Sequence, residues 1–206
     1  MNLRKLFFDI ETVPADASKH PALAAMYESR KQKGKTVPDD VETFISNTGL
    51  SGEFGRIISI GYAVNDDPVE ALWGGEREIL EQFWAVAKGV DRFIGHNIYD
   101  FDFPFIMKRS RILGVKPTLT LSFARYRQTP IYDTMREWDL WAHRQCSLDM
   151  LAQAMGLPTS KDKMDGSEVA AYFAAGKIED ICVYCKKDVE LTRQVYRKMT
   201  FDGTYG

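Results

Sequence analysis

Leu6-Phe7-Phe8-Asp9-Ile10-Glu11-Thr12 decides the reading of this 206-residue chain, because an apolar run ends there in two carboxylates one residue apart. Side chains alternate along a strand, so Asp9 and Glu11 point to one side and Ile10 to the other. Two carboxylates on one face at a strand's end repel each other and lose solvation, an arrangement that normally has a cation between them.

Working outward, residues 3–10 are predicted as a buried strand, 56–64 as a second and 69–73 as a third. Asn65-Asp66-Asp67-Pro68 is a strong turn signal, so the second and third strands lie antiparallel. Residues 76–88 carry Ile79, Leu80, Phe83, Trp84 and Ala87 at helical period, and 92–95 form a short parallel strand that delivers His96 and Asn97. Further helices are predicted over 103–113, 148–155, 167–175 and about 178–199, the middle two ending at Gly156 and Gly176. Strands followed by helices, with acidic groups on the first strand, after the fourth strand and on the last helix, give an α/β fold. It is a ribonuclease H-like mixed sheet of about five strands, the first three antiparallel, flanked by helices.

At 45% hydrophobic and 12% aromatic residues, the chain can bury one large core, so a single domain over 1–206 is expected. A partly helical, charged insertion occupies about 14–54, with helices at 20–33 and 41–47 and the run Glu28-Ser29-Arg30-Lys31-Gln32-Lys33-Gly34-Lys35. Such a charge run reads as a solvated face, and the sharper alternative is a mobile arm over a polyanion site. No stretch reaches the roughly 18–20 apolar residues of a membrane span, and the N-terminus runs straight into charge, so no membrane association and a cytoplasmic location are expected. Cys146, Cys182 and Cys185 read as reduced thiols, since the Cys182-x-x-Cys185 pair has no second pair to complete a zinc site. A formal charge of −2 excludes a general polyanion binder, and any polyanion must meet a local basic patch.

Two further elements carry candidate chemistry. Tyr184 and Asp188 are four residues apart on the last helix, so a phenol and a carboxylate share one face. The alternative is a tyrosine whose hydroxyl simply packs on a carboxylate. Asp102, with Asp100 as competitor, lies between Phe101 and Phe103 where a helix begins, a position that also suits an N-cap. Capping and metal binding do not exclude each other.

Together these segments resemble the DEDD superfamily of 3′–5′ exonucleases in its tyrosine-bearing branch, as in the proofreading domain of family B DNA polymerases and its stand-alone predicted relatives. Phe8-Asp9-Ile10-Glu11-Thr12 resembles the first exonuclease motif. Gly95-His96-Asn97 through Phe101-Asp102-x-Pro104-Phe105-Ile106 resembles the second, and Tyr184-Cys185-x-x-Asp188-Val189-x-x-Thr192 the third. The histidine-bearing branch has histidine where Val183 stands. No polymerase palm or fingers sequence follows within the 206 residues, and the insertion is a further departure from the polymerase pattern, so a stand-alone activity is expected.

The resemblance implies that Asp9, Glu11, Asp102 and Asp188 hold two divalent cations, Mg²⁺ or Mn²⁺, hard ions that prefer carboxylate oxygen. It implies catalysis by these four with Tyr184: Asp9, Glu11 and Asp188 serve the ion that activates water, Asp9 bridges, and Asp102 acts through a water. Tyr184, with an ordinary pKa near 10, orients water rather than abstracting a proton. The implied activity is 3′–5′ hydrolysis at the 3′ ends of single-stranded DNA or RNA, DNA favoured, releasing nucleoside monophosphates. Substrate contacts are assigned to Thr12, His96, Asn97, Phe101, Arg125 and Arg127.

Arg125-Tyr126-Arg127 combines guanidinium and aromatic groups, as single-strand binders do, though a solvated loop is the plainer reading. Lys161, Lys163, Lys186 and Lys187 are further candidate phosphate contacts. Phe101 and Phe103 are candidates to stack on a terminal base, and at least one of them is expected in the core. Asp133, after Ile131-Tyr132, is read as orienting the site rather than binding metal. Two other classes compete. A haloacid dehalogenase-type phosphatase needs an aspartate where Glu11 stands and a late acidic loop that is not found. A nucleic-acid-binding module with a decayed site conflicts with the presence of all four carboxylates and the tyrosine.

Overall fold

The structure, a computed structural model, describes residues 3–142, 144–159 and 164–202, which leaves Lys161 and Lys163 outside the described residues. Strand β1 (Lys5–Val13) lies at the centre of a five-stranded sheet. On one side it pairs antiparallel with β2 (Arg56–Val64), which pairs antiparallel with β3 (Glu70–Trp73). On the other side it pairs parallel with β4 (Arg92–Gly95), which pairs parallel with β5 (Ile131–Asp133). The order β3-β2-β1-β4-β5, flanked by helices, is the mixed sheet expected from the sequence.

The alternation along β1 builds both faces of the core. Leu6, Phe8 and Ile10 point one way, packing with Ile79, Leu80, Phe83 and Trp84 of α3 (Glu76–Ala87) and Phe103, Phe105 and Ile106 of α4 (Asp102–Leu113). Phe7 and Val13 point the other way, onto α8 (Ile178–Thr200), where they meet Tyr196 and Val189 or Ile181. Asp9 and Glu11 share this second face, so the carboxylates look toward α8 rather than into the α3–α4 core.

Glycine sets how closely α8 approaches the sheet. A Cβ on Gly61 of β2 would lie 2.9 Å from the Cys185 Sγ, 3.0 Å from Val189 and 3.1 Å from the Cys185 carbonyl. Only a residue without a side chain lets the helix sit this close.

The insertion forms α1 (His20–Gln32) and α2 (Val41–Ser46), followed by a 3₁₀ turn at Asn47–Leu50. Its charged run is exposed, as expected of a solvated face. Both halves nevertheless contribute buried groups, and the second is tied to β1 through the Thr12 hydroxyl, which donates to the Gly49 carbonyl. The Thr48 hydroxyl accepts the Ala15 N–H at 2.9 Å, and Leu23 and Tyr27 are buried. The remaining described helices are α5 (Thr134–Trp138), α6 (Leu148–Ala154) and α7 (Val169–Ala174). No helix among the described residues is long and apolar enough to cross a membrane.

Candidate active site

Three elements bring the acidic groups together: the far end of β1, the start of α4 and the middle of α8. Asp9 and Glu11 contribute ligand atoms that lie within 4.8 Å of one another and of the Cys185 Sγ. Glu11 is 6% exposed and Asp102 is 2% exposed. β1 makes a bulge between Glu11 and Thr12, where its pairing to β2 shifts register, so the strand bends at the site.

The charges act on one another. Burial, followed by the charges of Asp102, Glu11 and Asp188, holds the Asp9 carboxyl well above the usual carboxylate range. Glu11 is raised in the same way by burial, Asp188 and Asp102. Burial pushes Asp102 up to about 8, against the opposing effect of the Ile10 N–H. Four carboxylates in one partly dry space cannot all ionise without compensation, and a hard cation is the compensation that a set of carboxylate oxygens fits.

Asp102 does not cap its helix, contrary to the reading from its position. The cap residue of α4 is Phe101, which makes no side-chain cap bond, and Asp102 Oδ1 instead accepts the Ile10 N–H at 3.1 Å. The reason is strand length. β1 pairs with β4 only as far as Phe7 opposite Ile94, so the N–H of Ile10 has no strand partner on that side and takes the carboxylate. One hydrogen bond thus ties the second acidic element to the strand that carries the first.

The Tyr184 hydroxyl is hydrogen-bonded to the Asp188 side chain one turn along α8. Burial, then Asp188 and Glu11, drive its pKa far above that of an ordinary phenol, so the hydroxyl stays protonated at any physiological pH. Cys185, which the sequence reading set aside as a plain thiol, forms the floor of the cluster. Its Sγ accepts the Gly61 N–H at 3.1 Å and lies 3.7 Å from Asp9 Oδ2. Burial, reinforced by Asp9 and Glu11, pushes this thiol up and keeps it protonated. The signal in the sequence was its place three residues before Asp188, on the same helical face.

The loop after β4 is held by Asp133. Its carboxylate accepts N–H bonds from Asn97 and Tyr99, and from Met135 and Arg136 at the start of α5. Asn97 is thereby kept in the left-handed region at φ 64, with a buried side-chain oxygen that has no hydrogen-bond partner among the described residues. Gly95 permits the turn: a Cβ there would lie 2.1 Å from Ile98 Cγ2.

His96 was assigned to substrate, yet both ring nitrogens are engaged within the protein, Nδ1 with Thr134 Oγ1 and Nε2 with the Cys146 carbonyl, each at 2.9 Å. Burial lowers its pKa to about 4, so it is neutral. The Thr12 hydroxyl, another assigned contact, donates to the Gly49 carbonyl at 2.7 Å and anchors the insertion.

Phe103 is fully buried, whereas Phe101 is half-buried and lines a cleft of about 550 Å³ beside Glu11 and Thr12. The opposite walls come from Asn47, Gly49 and Leu50 of the insertion and Ser167 and Ala170 near α7, residues that no sequence motif marked. Arg125 and Arg127 are exposed, and Arg125 lies 3.5 Å from Asp100, two residues before Asp102.

Comparison with known proteins names the architecture. Residues 47–204 match the family described as a predicted 3′-5′ exonuclease related to the exonuclease domain of PolB. The chain belongs to that family. The match includes Asn97, Asp102, Tyr184 and Asp188 and begins after Asp9 and Glu11. Among curated proteins, this PolB-exonuclease relative is 24% identical to a DNA polymerase of Thermococcus litoralis over 93% of its own length and 14% of the polymerase. It is 23% identical to the DNA polymerase of Thermococcus aggregans, over 91% of its length and 13% of that protein. Its fold is similar to the family B DNA polymerase of Pyrobaculum calidifontis, with a TM-score of 0.66 at 18% identity, over 98% of this chain and 25% of the polymerase.

Proposed function

We propose that this chain is a metal-dependent 3′–5′ exonuclease that releases nucleoside monophosphates from the 3′ end of single-stranded nucleic acid, DNA in preference to RNA. The observation that carries the reading is the electrostatic frustration of the site. Asp102 and Asp188, from two separated segments, join burial in raising Asp9 and Glu11 on β1, and Glu11 lines a cleft the size of a nucleotide.

These four carboxylates would hold two divalent cations, Mg²⁺ or Mn²⁺. When bound, such ions generate a hydroxide-like nucleophile at neutral pH and neutralise the oxygens of the reacting phosphate. The chain's own groups do the rest. The Tyr184 O–H donates a hydrogen bond to Asp188 and its oxygen lone pairs accept one from a water, which orients that water without deprotonating it. Asp102 locks α4 to β1 through Ile10 and so keeps the second carboxylate in register with the first. Phe101 and Leu50 present apolar surface on the cleft, suited to the faces of a terminal base, and Asn97, whose backbone Asp133 fixes four residues before Phe101, is the candidate polar contact with the strand. The three cysteines are free, in keeping with a reducing cytoplasm.

The test is incubation with 5′-labelled single-stranded DNA and RNA in Mg²⁺, Mn²⁺ or EDTA, with product lengths read on a sequencing gel. A ladder shortening one nucleotide at a time from the 3′ end, absent in EDTA, is the expected result. Intact strands under every metal would overturn the proposal in favour of a binding module.

A further inference from the structure

Beyond the cleft, the segment from Phe123 to Trp141 carries an aromatic feature that hydrolysis does not explain. Trp141 lies between two tyrosines, with ring centroids 5.1 Å from Tyr99 and 5.0 Å from Tyr126. Tyr99 is buried and belongs to the loop that Asp133 organises beside the site, whereas Tyr126 is 75% exposed. Trp141 therefore links a buried ring of the loop that Asp133 organises to an exposed ring at the surface. Tyr126, Leu140 and Trp141 all have positive φ, at 63, 50 and 61. For residues with large side chains this backbone is costly, and it persists where packing enforces a particular display.

The polar groups around these rings are distributed unevenly. Asp100 is neutralised by Arg125 and Arg136. Glu137 is occupied by the Gln128 amide and the Trp141 indole N–H. Arg127, next to Tyr126, makes no ion pair among the described residues and is exposed. An exposed ring beside an uncommitted guanidinium matches the two components of an unpaired nucleotide, a flat base and a phosphate.

We infer that Tyr126, backed by Trp141, is a stacking platform for an unpaired base of the substrate strand upstream of the cleaved bond, with Arg127 on the adjoining phosphate. This deepens the proposed nuclease reading and rests on it for the identity of the strand. Its occupant is single-stranded nucleic acid, and because a base presents the same kind of face whatever its sequence, the platform sets affinity rather than sequence preference.

The experiment measures binding of a fluorescent single-stranded oligodeoxynucleotide in EDTA by anisotropy, alongside an otherwise identical strand of abasic residues. The proteins are the parent, Tyr126→Ala, Tyr126→Phe and Arg127→Ala. Tyr126→Ala is expected to weaken binding of the base-bearing strand about 5- to 100-fold, with Tyr126→Phe close to the parent and the abasic strand indifferent to both. Arg127→Ala weakens both strands alike. Thermal melting shows whether each variant is folded. Parent-like binding by folded Tyr126→Ala overturns the platform while leaving the nuclease reading intact. Platform-dependent binding without any hydrolysis overturns the nuclease reading alone. No binding of either strand by the parent overturns the platform outright.

Discussion

Asp188 and Tyr184 occupy one face of one helix, yet their removal should have unequal effects. Asp188 adds a charge to the carboxylate cluster, whereas Tyr184 contributes a hydroxyl that stays protonated. Asp188→Ala is expected to abolish hydrolysis and Tyr184→Phe to reduce the rate less, with far-ultraviolet circular dichroism unchanged in both. Equal, parent-like rates in the two variants would mean that the site is misassigned. Asp133→Asn behaves differently, because an amide offers one acceptor and a pair of donors to four backbone N–H groups. A loss of about 1.5–3 kcal/mol in denaturant unfolding is expected, together with loss of activity as the loop carrying Asn97 comes free. Unchanged stability would remove Asp133 from its organising role.

The position of α8 against β2 is the interaction between elements on which the site depends, because α8 carries two of the five catalytic candidates and meets the sheet at Gly61. Gly61→Ala would force Cys185 and Val189 outward. Overpacking of this kind costs about 1–3 kcal/mol, or very roughly 2–12 °C in melting temperature for a chain of this size. Activity should fall more than stability does, since the displaced helix carries Asp188 away from Asp9. A melting temperature and hydrolysis rate both equal to the parent's would show that the contact can relax without moving the site.

At the scale of the whole molecule, the carboxylate cluster couples stability to pH and to metal. In the unfolded chain carboxylates lose their protons near pH 4, whereas burial holds Asp9 and Glu11 well above that and Asp102 up to about 8. Between those values these carboxylates hold more protons in the folded, metal-free protein than in the unfolded chain, so their contribution to stability falls as pH rises from roughly 4 to 8, opposed below about 6.5 by His96, whose pKa burial lowers to about 4. Melting in EDTA should therefore drop across this window. Mn²⁺, which needs the ionised carboxylates, should raise the melting temperature more at pH 8 than at pH 5. A flat profile in EDTA with no response to metal would be incompatible with convergent carboxylates. The net charge of −2 has its own consequence: strand binding should rely on a few local cations and weaken as salt increases, and a flat salt titration would contradict it.

Some of this was determined by the sequence alone, because it depends on neighbours along the chain. Alternation placed Asp9 and Glu11 on one face of β1, helical period placed Tyr184 one turn from Asp188, and turn chemistry at Asn65–Pro68 set β2 and β3 antiparallel. Only the tertiary structure decided how distant segments met. Asp102 bonds Ile10 instead of capping its helix because β1 outruns β4, a matter of register between strands more than eighty residues apart. His96 and Thr12 turn inward because Cys146 and Gly49 arrive beside them from elsewhere in the chain. Cys185 lies beneath the carboxylates because Gly61 admits α8, and Tyr126 displays its ring because Trp141 and Tyr99 stack behind it. Local periodicity is written in the order of residues, whereas the partner of a buried polar or aromatic group depends on which surfaces pack together, and that is settled only when the chain is folded.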